Sequence, residues 1–319
     1  MRFLVRRVGF ALVVLFFISL AVFVLFFVVA PGDPAANFVG KNPTPERIAQ
    51  ARAHYGLDKP VVEQYVMYAT RLARGDLGYS FVNDEPVTRI LLSRLPATAS
   101  LAIGAALLWL VAGVLAGILA ATRARTVTDR VTTFLALGGL STPTFVIGPV
   151  LLYFLFYRLT VGGLRWFPGG GYVPLTQNPA GWFMHLLLPW VTIAVTYAAS
   201  YSRITRGSLL EVLGEDYIRT ARAKGLSERR VITRHGLRSA LTPVVTLFGI
   251  DLGGLLGGAI VTEAIFGLQG VGQTAIQAVF IGDLPVIFGT VLLAGFFVVL
   301  GNVVVDAAYA LLDARVRLS

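Results

Sequence analysis

The sequence predicts an all-α, polytopic membrane protein, and three observations carry that prediction. Hydrophobic residues make up 56% of the 319, and charged residues only 14%, against roughly 25% charged in an ordinary soluble domain. The mean hydropathy is +0.75. Most directly, stretches free of charge and long enough to cross a bilayer recur along the chain, since a helix rising about 1.5 Å per residue needs about 20 apolar residues. Six such stretches stand out: Val8–Ala30, Ala97–Thr122, Val131–Tyr157, Trp182–Ser202, Leu241–Thr262 and Leu284–Val305. Asp251 is the only acidic or basic residue inside them.

The first stretch follows Arg2, Arg6 and Arg7. Its apolar run exceeds the core of a cleaved signal, so it reads as a retained anchor. With the N-terminus placed in the cytoplasm, the inner segments collect 17 of the 27 Lys and Arg, while the short outer loops hold only Arg158 and Arg165. That bias predicts both termini inside. The formal net charge of +10 is scattered between apolar stretches rather than gathered on one polar face, which excludes a nucleic-acid partner and leaves membrane lipid as the surroundings. Without cysteine, disulfide scaffolds and thiolate chemistry are excluded.

Residues 1–30 form a tail and the first span, residues 31–95 an extracytoplasmic helical segment, and residues 96–319 a core holding spans two to six. In the extracytoplasmic segment, Thr44-Pro45-Glu46 reads as a helix start and Gly56 as its stop. Val62, Tyr65, Val66, Ala69 and Leu72 then recur at helical spacing until Gly75. Asp84 and Pro86 open a third short helix toward Pro96. Such a segment serves either as a docking lid for an external partner or as a cap on the bundle.

Residues 203–240 form an inner loop of 38 residues, where helix connections normally take two to eight. The pattern is helix, break, helix. Tyr217, Arg219, Thr220, Ala221, Arg222, Ala223 and Lys224 precede Gly225, which can take the positive φ of a sharp reversal, and Ser227 can cap the next helix. Small and cationic residues together fit either a helix pressed into a groove of another protein or an interfacial helix facing anionic lipid.

The stretch Asp216-Tyr217-Ile218-Arg219-Thr220-Ala221-Arg222-Ala223-Lys224-Gly225-Leu226, followed by Arg234-His235 and Pro243, resembles the cytoplasmic loop of binding-protein-dependent ABC import permeases of the dipeptide, oligopeptide and nickel branch. Further motifs carry the same resemblance in order: Pro31-Gly32-Asp33-Pro34, Gly75-Asp76-Leu77-Gly78, Leu95-Pro96-Ala97-Thr98 and Ser141-Thr142-Pro143-Thr144-Phe145. They continue through Glu263-Ala264-Ile265-Phe266, Gly270-Val271-Gly272 and the closing Asp313-Ala314-Arg315-Val316-Arg317. The resemblance implies a type I importer (MetI-like) fold in a bacterial or archaeal cytoplasmic membrane, importing short peptides. It implies a second homologous permease, two cytoplasmic ATPases and an external lipid-anchored or periplasmic peptide-binding protein as partners. Residues Ala221–Gly225 become the coupling helix seated on an ATPase, and ATP and Mg2+ belong to the ATPases, with no cofactor bound by this chain. Two departures stand out: Arg219-Thr220-Ala221 occupies the place of Glu-Ala-Ala in the wider superfamily, and Ala314 that of a frequent proline. Nickel chelates and oligosaccharides are alternative cargoes of the same machinery.

Catalysis by the chain itself is not expected. Gly40-Lys41 is followed by Asn42 and does not form a phosphate-binding loop, and His54, His185 and His235 fall on different sides of the predicted bilayer. A stand-alone secondary transporter would carry an internal repeat and paired mid-membrane acids, and neither is evident. An intramembrane carboxylate is costly, so Asp251 either faces a wet translocation path or a partner, or is satisfied by neighbouring backbone or water inside the bundle. Ser141, Thr142 and Pro143 are candidates for that path because a broken helix is tolerated where it lines a cavity. Gly249, Gly253 and Gly257 form a row for close helix packing, within the chain or against a second permease. Asn302 and Asp306 are expected to orient the cytoplasmic exit.

Overall fold

In the computed structural model the described residues are 2–29, 32–39, 44–163, 166–256 and 259–312, with side chains described for those between 6 and 304. Helix dominates, and the chain divides into two compact units, Met1–Ala99 with Gly253–Val303 and Ser100–Leu252 with Val304–Ser319. Five helices are long and apolar enough to cross a membrane: Arg6–Val28, Val87–Thr122, Thr144–Val161, Pro179–Leu213 and Leu284–Val304. Two bent pairs, Glu228–Ala240 with Thr242–Leu256 at 50° and Ile260–Phe266 with Val271–Ile281 at 89°, raise the total to as many as seven. Large side chains such as Phe134 and Phe280 stand more than 70% exposed, a surface that lipid rather than water covers.

The first unit opens with helix Arg2–Phe23, which continues as a π-helical turn over Val24–Val28. Asp33 caps the short helix Pro34–Asn37 by accepting from the Ala35 amide at 3.0 Å, and its second oxygen accepts from Arg52 at 2.6 Å. Helix Pro45–Tyr55 begins and ends as the sequence predicts: the Thr44 hydroxyl accepts from the Arg47 amide, and Gly56 closes it at φ +64°. Helix Val61–Ala73 lays Tyr65 and Tyr68 against Phe23, with ring centroids 5.2 and 5.7 Å apart. Phe23 and Phe27 are buried in one apolar cluster with Phe38, Ala51, Phe81 and Phe288.

The predicted third helix does not stand alone: it begins at Val87 and is continuous with the second span. Tyr79–Ser80 pairs antiparallel with Glu85–Pro86, turning through Asp84 at φ +59°. Val87 then opens a helix that runs through Pro96 to Thr122. Pro96 removes one ladder bond. Burial of Val87, Leu91 and Ala97 on both sides of it, all under 5% exposed, keeps the helix continuous.

In the second unit, helix Val127–Ser141 is followed by helix Thr144–Leu151, which continues as a π-helical stretch over Leu152–Arg158. The predicted span Val131–Tyr157 is therefore divided at Thr142-Pro143, because a proline forces its predecessor out of the helical region; Thr142 lies at φ −100°, ψ 116°. Helix Pro179–Leu213 extends well past the predicted end at Ser202. Gly104, Gly113 and Gly117 let the helix begun at Val87 lie directly on it: a Cβ at Gly104 would stand 2.0 Å from Trp190, and one at Gly117 2.6 Å from the Ser202 carbonyl. The predicted span Leu241–Thr262 also fails to run through: helix Thr242–Leu256 and helix Ile260–Phe266 are separate, with Ala259 between them outside helical geometry.

Candidate functional site

The loop 203–240 is built around a helix only eight residues long. After Gly214 the chain is extended at Glu215, helix Asp216–Ala223 follows, and Gly225 reverses direction at φ +77°. Ile218 and Ala221 face inward, where they bury with Val231 among Val212, Leu213 and Leu226. Ala221 is thus part of the chain's own packing, and the outward surface comprises Tyr217, Arg219, Thr220, Ala223, Lys224 and Gly225. Arg219 pairs with Asp216 at 3.2 Å, and the Thr220 hydroxyl donates to the Asp216 carbonyl. The Tyr217 hydroxyl donates to Ser239 at 3.4 Å.

Arg222 closes the loop. Its guanidinium donates to both oxygens of Glu228 at 3.1 and 2.7 Å and also to the Leu213 carbonyl at 3.4 Å. That fork holds the Glu228 carboxyl below the usual carboxylate range. Ser227 occupies the cap position with extended backbone but makes no side-chain cap bond. The arrangement is a short helix braced on one face by its own chain and exposed on the other.

A second ion pair steadies the same unit. Arg206 donates to both oxygens of Asp129, at 2.6 and 2.9 Å, and the Arg125 amide donates to Asp129 at 2.9 Å. The guanidinium first, and then the amide, hold the Asp129 carboxyl down at about 2, against the opposing cost of burial. Sequence reasoning used Arg125 and Arg206 only as topology markers. The available signal was Asp129 itself, the one acid in the run Arg123–Arg130.

Asp251 sits half-buried on helix Thr242–Leu256, and the Tyr201 hydroxyl donates to its Oδ2 at 2.8 Å. Trp109 stacks on Tyr197 with centroids 4.7 Å apart and lies 6.2 Å from the rings of both Tyr201 and Phe248. Among the described residues, no salt bridge joins Asp251 to a Lys or Arg. Ser141, Thr142 and Pro143 form the helix break, where the Thr142 hydroxyl donates to the Gly138 carbonyl at 2.9 Å and satisfies a group the lost turn leaves free. Gly249 is buried, and Gly253 packs within its own chain: a Cβ there would stand 3.1 Å from Val298 Cα. Gly257, Pro31 and the closing motif Asp313–Arg317 lie outside the described residues, as does the Asp306 side chain; Asn302 is exposed.

Sequence reasoning missed a buried polar joint in the first unit. Glu263, fully buried, accepts from the Thr98 hydroxyl at 2.6 Å and from the Gln273 amide at 2.8 Å. Thr98 in turn accepts from the Val271 amide at 2.8 Å. Gly270 has no room for a side chain, since a Cβ would stand 2.4 Å from Glu263 Cδ. Three separate motifs, around Thr98, Glu263 and Gly270, are one structural joint. Asp283 plays a similar part at the start of helix Leu284–Leu312, accepting from Ser80 at 2.5 Å and Asn83 at 2.8 Å.

Comparison with known proteins places this architecture. Residues 1–102 match the N-terminal family of binding-protein-dependent transport system membrane components, and residues 113–318 match the binding-protein-dependent transport system inner membrane component family. A probable peptide ABC transporter permease of Sinorhizobium fredii is 39% identical over 315 residues, covering 99% of both chains. The di/tripeptide transport system permease DppB of Pseudomonas aeruginosa and the glutathione transport system permease GsiC of Escherichia coli are each 37% identical, again over 99% of both chains. Among solved structures, an inward-facing form of the MetNI methionine ABC transporter has a similar fold, with a TM-score of 0.50 at 22% identity over 72% of this chain and 95% of that one. Two family models that tile nearly the whole chain, and relatives that match it end to end, make this multi-pass protein a member of the binding-protein-dependent ABC transport system inner-membrane permease family.

Proposed function

We propose that the chain is one permease subunit of an ATP-driven importer of short peptides in a bacterial or archaeal cytoplasmic membrane. The observation that carries this reading is the end-to-end similarity to permeases named for peptide, di/tripeptide and glutathione transport. The subunit pairs with a second permease and two cytoplasmic ATPases, and receives cargo from an external peptide-binding protein. ATP and Mg2+ are bound by the ATPases.

In this mechanism the bare face of helix Asp216–Ala223 seats on an ATPase, with Arg219 and Lys224 as its cationic contacts. Closure of the ATPases around ATP displaces that helix. The Ile218–Ala221–Val231 packing and the Arg222–Glu228 fork pass the displacement to the helices ending at Leu213 and beginning at Glu228. The spans then switch between outward-open and inward-open states, and the tighter binding of ATP to one of them supplies the drive. Ser141, Thr142, Pro143 and Asp251 border the path.

The test is a mild-detergent purification of the chain from its native membrane, with mass spectrometry of what copurifies. A second permease, ATPases and a binding protein loaded with peptide are expected. A chain recovered alone or as a homo-oligomer overturns the importer reading, and a binding protein loaded with a metal chelate or sugar overturns the peptide assignment.

A further inference from the structure

Asp251 is a carboxylate that the chain leaves half open. Tyr201 occupies Oδ2 at 2.8 Å, and no hydrogen bond or salt bridge among the described residues engages Oδ1. A carboxylate on an apolar helix at membrane depth is costly unless something cationic or a wet cavity meets it. The Trp109 ring stands 6.2 Å from that of Tyr201 and carries Tyr197 at 4.7 Å and Phe248 at 6.2 Å, both half-buried. Aromatic faces carry negative charge density and attract cations, most strongly when water is displaced. A metal ion is a poor occupant, since no group of three His, Cys, Asp or Glu residues among the described ones could hold it. A neutral sugar needs several polar partners in convergent geometry, and one open acceptor in an aromatic setting does not supply them.

We propose that Asp251, held by Tyr201 beside the Trp109–Tyr197–Phe248 aromatic wall, receives the protonated α-amino group of the peptide as it passes through the permease. The inference rests on the peptide-importer reading and adds the chemical group that is recognised. The amino terminus is common to short peptides whatever their side chains, so a single carboxylate serves many sequences. One anchored oxygen fixes the direction of the other while leaving it free to bind. A single contact also releases its cargo, as conduction through a membrane path requires.

The experiment uses the complete complex in proteoliposomes with its binding protein, and tri-alanine as cargo. Asp251→Asn is expected to lower uptake about tenfold, the loss of one charge-assisted contact, while the second permease and the ATPases still copurify. Asp251→Glu is expected to recover most of it. In detergent, an apolar carbodiimide should modify Asp251, with protection by millimolar tri-alanine and none by N-acetyl-tri-alanine. Wild-type uptake by Asp251→Asn, or equal protection by the two peptides, overturns the proposal while leaving the importer reading intact. Loss of the second permease from the Asp251→Asn complex assigns the carboxylate to a subunit contact and also overturns it. A wild-type complex that moves no peptide at all, with modification of Asp251 unaffected by tri-alanine, removes the peptide-importer reading itself.

Discussion

Glu263 and Asp251 are both carboxylates carried on apolar helices, and the chain treats them in opposite ways. Glu263, in the first unit, is fully buried and spends both oxygens on its own chain: the Thr98 hydroxyl on one, the Gln273 amide on the other. Asp251, in the second unit, is half-buried and spends one oxygen on Tyr201. A closed carboxylate is a structural joint, because every donor aimed at it is stranded when it is removed. An open one holds fewer donors and keeps capacity for something else. The same division separates the tightly held Asp129 and Asp283 from the exposed acids of the loop.

The largest expected effect comes from opening the joint. Glu263→Ala leaves the Thr98 hydroxyl and the Gln273 amide buried without an acceptor. At roughly 1–3 kcal/mol for each stranded group, the loss is on the order of 4 kcal/mol. The check is the thermal midpoint of the purified complex, with Asp251→Ala alongside it stranding only the Tyr201 hydroxyl and costing about half as much. Equal costs for the two would erase the distinction. Gly270→Ala attacks the same joint from its other side. Its Cβ would meet Glu263 Cδ at 2.4 Å and the Thr98 hydroxyl at 2.5 Å, so overpacking of about 1–3 kcal/mol is expected by the same measurement.

Asp129 sharpens the comparison through pH. Its carboxyl is held at about 2 by Arg206 and the Arg125 amide. In the unfolded chain an aspartate titrates near about 4. A folded value below the unfolded one adds stability that is complete above about 4 and is lost as the pH falls toward about 2. Asp129→Asn should therefore melt below wild type at neutral pH, with the gap closing between about pH 4 and pH 2. A gap that stays constant through that range would show that Arg206 and Asp129 do not act as an ion pair.

These joints explain which parts of the molecule could be read from sequence. The cap at Thr44-Pro45, the stop at Gly56 and the reversal at Gly225 were legible because each depends on residues within one turn of chain. The break at Thr142-Pro143 was legible as a disturbance, and its physical form follows from proline alone. The joint at Glu263 was not, because its partners Thr98 and Glu263 are 165 residues apart and no local periodicity links them. The motifs that made the family recognisable include the parts of that joint, but they gave no hint that the parts meet. Pro96 misled in the other direction: a local helix breaker was overruled by burial of the residues around it. The bends of 50° and 89° were hidden as well, because charge-free runs report length and hydropathy but not direction.

The smallest expected effect tests where the division stops. Arg222 and Glu228 form as well-shaped a pair as Arg206 and Asp129, with two donors on two oxygens, yet their side chains are 40% and 56% exposed against 33% and 7%. Water and salt screen such a pair, and exposed ion pairs contribute about 0–1 kcal/mol. Arg222→Ala should therefore leave the thermal midpoint almost unchanged, because Ile218 and Ala221 still bury against Val231. What it should change is local. The Leu213 carbonyl loses a donor and Glu228 its partner, so backbone amides between 213 and 228 should exchange hydrogen a few-fold faster, and raising the salt concentration should reproduce part of that increase in wild type. A fall in global stability as large as that of Asp129→Asn at neutral pH would mean that geometry, rather than burial, decides which carboxylates act as joints. A local change alone means that the loop is held by its apolar face and only tuned by its charges.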